Sequence, residues 1–345
     1  MNMQHRMTQP GPLLDERGRL LQTGYATGAL LTYRRADIRA PWYRIKEWDY
    51  YLVLCDTHAL ALTIADNGYM GLDSVSLLDF TRPWQKTVSP MQLLPRGRKR
   101  LPETSAQGDV AVSGRGYALS FRHEKDGRLL RVRMENFDKG RMLEGEILLR
   151  EEPRDSMVIA TPFPGAPRAF YYNQKINCLR AQGEVRLGDT RYAFAPESAF
   201  GTLDWGRGVW TYRNTWYWGS ASGLVDGVPF GLNIGYGFGD TSAASENMVF
   251  YDGVAHKLSQ VDFGIPQAGG RDDFLKPWRM TSDDGRFSMD FTPVLDRASR
   301  ASALVVESVQ HQVFGRFTGT VVLDDGRIVR VQDLMGFAEK VKNRW

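Results

Sequence analysis

Between residues 201 and 223 the chain reads Gly-Thr-Leu-Asp-Trp-Gly-Arg-Gly-Val-Trp-Thr-Tyr-Arg-Asn-Thr-Trp-Tyr-Trp-Gly-Ser-Ala-Ser-Gly. It gathers Trp205, Trp210, Trp216 and Trp218, four of nine tryptophans, around a carboxylate and a guanidinium. Trp216 and Trp218 are two apart, so a strand projects both to one face and Tyr217 to the other. In a barrel that shared face is read as the lumen, with Trp205, Trp210 and Tyr212 extending an aromatic lining. Asp204 and Arg207 flank Trp205-Gly206, a spacing that permits contact across a glycine-containing turn. In an apolar pocket such a carboxylate is an acid–base group, and the guanidinium orients it or an anionic group of a ligand. Indole faces stabilise a developing cation. Arg207 beside Asp204 favours the charged carboxylate, hence a base, while desolvation works the other way. The structural alternative is a core of rings closed by a buried Asp204–Arg207 pair.

Outside this segment, His311 lies in a run where Val309, His311 and Val313 share a strand face, so a group that titrates near neutral pH occupies an apolar position. Asn233 and Glu246-Asn247 are further polar candidates from neighbouring strands. The five histidines, His5, His58, His123, His256 and His311, have no metal-ligand spacing. Gly219-Ser220-Ala221-Ser222-Gly223 has alanine where a nucleophile elbow needs serine. Gly235-Tyr236-Gly237-Phe238-Gly239 lacks a dinucleotide fingerprint and its strand–helix context, and reads as close backbone approach. With no phosphate loop either, neither cofactor nor metal is expected. Cys55 and Cys178 are the only cysteines, which excludes a disulfide framework.

The elements that must position these groups are strands. Asn67-Gly68, Asp126-Gly127, Asp226-Gly227, Asp252-Gly253, Asp284-Gly285 and Asp325-Gly326 are tight hairpin turns, most between alternating apolar runs, and Gly188-Asp189 joins another pair. Helical periodicity is almost absent. Successive hairpins predict an all-β protein of up-and-down barrels, which close and so remove their edges. The 345 residues suit two such domains. The stretch from Thr161 to Ala199, with Pro164, Pro167 and Pro196, is the most irregular. It predicts a division into 1–180 and 181–345.

A net charge of +4 with interleaved signs is no nucleic-acid signature. Arg96-Gly97-Arg98-Lys99-Arg100 is the local exception. It reads as a solvated loop, with a weak peripheral contact to anionic head groups left open. No apolar stretch approaches the length of a membrane span and the N-terminus lacks an apolar leader, so a cytoplasmic protein is expected. The oligomeric state is not readable.

The segments Gly24-Tyr25-Ala26, Arg44 to Tyr51, Leu203 to Arg213, His311 to Gly315 and Gly336 to Glu339 together resemble the bacterial family called domain of unknown function 2804. That family is similar to two-domain lipocalin-like proteins, among them AttH-like proteins, carotenoid 1,2-hydratases and fungal pericyclase-type cyclases. The resemblance implies two lipocalin-like antiparallel β-barrels acting without metal or nucleotide on a greasy substrate. The leading expectation is therefore a cofactor-independent hydratase, isomerase or cyclase for a hydrophobic, terpenoid or lipid-like small molecule, with Asp204 its main acid–base group. A non-catalytic carrier of hydrophobic ligands comes next. Glycan binding or hydrolysis ranks lower, because only Asp204 is a convincing carboxylate in the aromatic segment.

Overall fold

A computed structural model describes residues 4–303 and 306–344. Every Asn-Gly, Asp-Gly and Gly-Asp pair named above joins antiparallel strands. At Asp226-Gly227 and Asp252-Gly253 both residues have positive φ, 51° and 78° in the first and 52° and 74° in the second. That geometry gives a two-residue turn the twist of its strands.

The hairpins assemble two large antiparallel sheets, and the described residues contain no α-helix. The larger sheet has 14 strands. Its main path runs in space from Trp84–Val88 through Met70–Asp79, His58–Asp66, Ile45–Leu54, Phe200–Val209, Ala166–Leu187, Arg141–Arg150, Gly127–Asp138 and Tyr117–Glu124 to Val110–Gly114. It curls far enough for Tyr51 and Phe121, on strands remote from each other along this path, to meet at 4.8 Å between ring centroids. The Tyr117 hydroxyl likewise donates to Asp73 across the interior. The second sheet has nine strands, from Val254–Lys257 through Met248–Tyr251, Val228–Tyr236, Arg213–Val225, Ile328–Arg344, Val306–Val322, Phe287–Ala303 and Trp278–Ser282 to Val261–Asp262. Each curled sheet encloses its own apolar core.

The change of sheet falls between Val209 and Arg213, whereas residue 180 lies inside Ala166–Leu187, a 22-residue strand. Of the four prolines in the stretch read as irregular, Pro162 lies within Met157–Phe163, while three punctuate hairpins: Pro164 in the turn before the long strand, Pro167 near its start, and Pro196 in the turn before Phe200–Val209. Prolines in turns require no ladder donor.

A third apolar cluster lies between the barrels, with Tyr50, Leu52 and Phe80 from the first and Trp218, Phe314 and Phe337 from the second. A bulge in Ala166–Leu187 locks the two together. Cys178 takes φ 60° there, and the ladder to Phe200–Val209 skips between Ile176 and Leu179. The Asn177 amide donates to the Ser220 hydroxyl at 2.9 Å and the Leu232 carbonyl at 3.1 Å, both on the second sheet. Gly231 gives the room: a Cβ there would stand 2.6 Å from the Cys178 sulfur.

Candidate functional site

Phe200–Val209 is buried on both faces. Because side chains alternate, Asp204 points towards the second barrel, while Trp205 and Arg207 point into the first. The expected Asp204–Arg207 contact is therefore not made. Arg207 is fully buried, pairs with Asp49 at 2.9 Å, donates to the carbonyls of Trp48, Gly206 and Pro102, and lies over the Trp205 ring. It is part of the first barrel's interior, as is Trp205, whose ring meets Tyr33 and Tyr172.

Asp204 instead enters a polar cluster between the barrels. Its Oδ1 accepts from the Asn173 amide at 2.5 Å and its Oδ2 from the Trp48 indole N–H at 3.1 Å. Lys175, on the same strand face as Asn173, puts its ammonium 3.8 Å from Asp204 and 2.9 Å from Glu246. That ammonium also donates to the Tyr171 hydroxyl and the Asn173 side-chain Oδ1, and lies 4.8 Å from the centre of the Trp218 ring. Lys175 thus clasps one carboxylate from each barrel. Burial opposes its charge, but Asp204, Glu246 and Tyr171 outweigh that and hold its pKa above the ordinary lysine value.

Glu339, from Ile328–Arg344, adds a carboxyl on the second barrel's side. It accepts from the Trp216 indole N–H at 2.8 Å and the Gln312 amide at 2.9 Å. Burial pushes it up to about 7; the donors Trp216 and Gln312 and the charge of Arg297 hold it down, and the Asp204 charge raises it further. Among the described residues, two nearby buried polar atoms make no hydrogen bond of good geometry: the Tyr50 hydroxyl, whose ring meets Trp218, and the Gln312 Oε1. Such orphaned groups are costly. A protonated Glu339 gives Gln312 an O–H to accept once its amide rotates.

Rings cover this cluster. Phe238 stands 4.9 Å from Tyr171, 4.9 Å from Trp210 and 5.4 Å from Trp216, and Trp48 lies 5.3 Å from Trp210. Trp48 and Trp216 remain partly exposed, which marks the solvent edge. Two glycines make the packing feasible. A Cβ on Gly206 would fall 1.9 Å from the Trp48 indole, and one on Gly235 would fall 2.5 Å from the Glu246 carboxylate.

Trp216 and Trp218 do share a face, but it is the outer face of the second barrel, turned to the first; Tyr217 and Ala221 face the lumen side. Asn233 belongs to the site, accepting from the Trp218 indole at 2.8 Å, and so does Glu246. Asn247 braces backbone, accepting from the Gly235 N–H and donating to the Ser259 carbonyl. Tyr212 lies exposed in the connection between the barrels. His311 is on the opposite strand face from Gln312, bonded to Asp296 at 2.7 Å and stacked on Phe274, so it is remote from this cluster. Lys175, Asn173, Tyr171, Trp48, Phe238 and Glu339 were not singled out from the sequence. The signal for three of them was the alternation Tyr171, Asn173, Lys175, Asn177 in an otherwise apolar strand. Among the described residues, no group of three or more His, Cys, Asp or Glu is placed to hold a metal.

The sequence matches the domain of unknown function DUF2804 over residues 4–345. The chain belongs to that family. No curated protein matches it significantly. Among solved structures, a Nitrosomonas europaea protein described as AttH superposes with a TM-score of 0.53 at 15% identity, covering 91% of this chain and 97% of that one. Kievitone hydratase from Nectria haematococca gives a TM-score of 0.48 at 9% identity, covering 87% and 88%. The AttH superposition shows the fold of two-domain lipocalin-like proteins. In this DUF2804 chain, four of the five segments that carried the resemblance meet at the site. They bring Trp48 and Tyr50, Asp204 and Trp210, Gln312, and Phe337 with Glu339.

Proposed function

We propose that the protein is an acid–base enzyme of the hydratase, isomerase or cyclase type for a hydrophobic small molecule held between its two barrels. The observation that carries this reading is a pair of buried carboxyl groups, Asp204 from one sheet and Glu339 from the other, each held by side-chain donors among indole rings. Glu339, with a pKa of about 7, retains a proton near neutral pH. Asp204 has the Asn173 and Trp48 donors and the Lys175 ammonium to hold its charge. The raised Glu339 is the acid of this reading, and Asp204, beside the Lys175 ammonium, is the base.

In the reaction, the Glu339 O–H gives its proton to an alkene carbon of the substrate, and the cation that forms faces Trp216 and Trp218. Asp204 then removes a proton, either from water adding to the cation, which completes hydration, or from a neighbouring carbon, which completes isomerisation. Both carboxyls end with exchanged protonation and reset against water. Isomerisation then consists of two proton transfers, and hydration adds one C–O bond in place of the alkene π bond.

The test is to incubate purified protein with hydrophobic cell extracts in deuterated water. Wild-type protein should install deuterium on carbon in one extract component, and Asp204→Asn should not, while both still bind an apolar fluorescent probe. Recovery of a bound component unchanged and unlabelled from the wild type would make the protein a carrier and end this reading.

A further inference from the structure

Five of the large hydrophobic side chains left exposed, Trp42, Tyr43, Met91, Leu93 and Leu94, crowd one corner of the first barrel. Met91 and Leu93 are 68% and 84% exposed, on a three-residue strand paired with Met70–Asp79. The Leu94 N–H donates to the Tyr69 carbonyl and the Arg96 N–H to the Gly68 carbonyl, and Gly68 packs directly against the Trp42 carbonyl. All five therefore surround the same turn. Contiguous exposed apolar surface of this kind marks a contact site.

The patch is held rigidly. Buried Asp66 accepts from the Gly68 N–H with one oxygen and from the Gly97 N–H with the other. Lys99, read from the sequence as part of a solvated loop, is buried instead in an ion pair with Asp73. The rest of the basic run stays outside: Arg96, Arg98 and Arg100 are exposed. Arg96 stacks on Trp42 at 4.2 Å and Arg98 donates only to the carbonyls of Leu94 and Pro95. None of these three arginines joins an ion pair among the described residues.

We propose that this corner docks on an anionic lipid bilayer, with Met91, Leu93 and Leu94 entering the interface, Trp42 and Tyr43 at head-group depth, and the three arginines against lipid phosphates. Apolar side chains ringed by cations and by interfacial aromatics are complementary to that surface on both counts. A polar protein partner would leave the leucines unserved, and a nucleic acid would have no use for them. The corner also adjoins the site. The Arg44 carbonyl, next to Tyr43, accepts from the Trp210 N–H, the Arg44 guanidinium donates to the Trp210 carbonyl, and the Trp210 ring belongs to the covering aromatics. The proposal stands on the surface alone and does not depend on the chemistry assigned to the site.

The experiment is co-sedimentation of the full chain with phosphatidylcholine vesicles, with and without phosphatidylserine, at low and high salt. Binding should need phosphatidylserine and weaken with salt. Arg96→Gln, Arg98→Gln and Arg100→Gln together should reduce partitioning about a hundredfold, at about fivefold for each basic residue near the surface. Leu93→Glu, at a position whose side chain is already in water, should reduce it without changing the melting temperature. Absence of binding to phosphatidylserine vesicles would overturn the proposal. So would equal binding by Leu93→Glu, with competition by duplex DNA, which would make the surface a general polyanion site. A wild-type dimer that Leu93→Glu converts to monomer would make it a contact between copies of this chain.

Discussion

Glu339→Gln should raise the stability of the protein at alkaline pH and leave it nearly unchanged at acid pH. The folded carboxyl sits at about 7 against 4.5 for the free group, a displacement equivalent to about 3 kcal/mol at about 1.4 kcal/mol per tenfold change in proton affinity. A carboxyl raised on folding contributes its full stabilisation below the unfolded value, and that contribution is lost as pH rises through the folded one. Wild type is thus penalised progressively from about pH 4.5 to above about pH 7, where the charge must be kept in a buried site. Glutamine has the shape of the neutral acid, keeps the acceptor for Trp216, and its amide nitrogen, in place of the oxygen that accepts from Gln312, can donate to the Gln312 Oε1 once the Gln312 amide turns over. Urea melts of both proteins over a pH series at constant ionic strength should give curves within about 1 kcal/mol near pH 4 that diverge to about 3 kcal/mol, variant above wild type, near pH 8.5. Turnover should be lost, because the amide has no proton to give. Parallel stability curves across that range would refute the neutral Glu339 and with it the assigned acid.

Lys175→Met should cost about 3–5 kcal/mol in denaturant melts, because it leaves the Asp204 and Glu246 carboxylates facing each other without their shared cation. Gly206→Ala should displace the Trp48 indole, cost about 1–3 kcal/mol, and shift tryptophan emission, since the added methyl would overlap the ring that holds Asp204. Arg207→Met should cost about 3–5 kcal/mol by stranding Asp49. Its coupling to Asp204→Asn in a double-mutant cycle should stay below about 1 kcal/mol, because the two side chains point into different interiors.

The barrels were legible because their turns are written in local chemistry. Asp226-Gly227 and Asp252-Gly253 need positive φ at both positions, and few other residue pairs supply it. The sharing of a face by Trp216 and Trp218 was equally legible from their spacing. Which interior that face met was not. Strands such as Phe200–Val209, buried on both sides, carry no polar face to mark the outside of a barrel. An alternation of period two then shows that Asp204 and Arg207 separate only if the strand runs straight through both, and the glycines suggested a turn instead. Lys175 meets Glu246 across 71 residues and two sheets, a contact that exists only once the barrels dock. The prolines between residues 161 and 199 suggested a linker because a proline at a hairpin and one in a connection look alike in sequence.

Asp204 is fixed to one sheet and Glu339 to the other, so under the proposed acid–base reading the distance between the two carboxyls is set by no single folded unit. Turnover then serves as a caliper of docking. On warming, it should fade as the barrels slide apart, at a temperature where each sheet still keeps its own circular dichroism. Halves divided within residues 210–212 should regain it only when mixed. Weakening the Asn177 lock, which touches neither carboxyl, should lower the proposed turnover as much as a change within the candidate site.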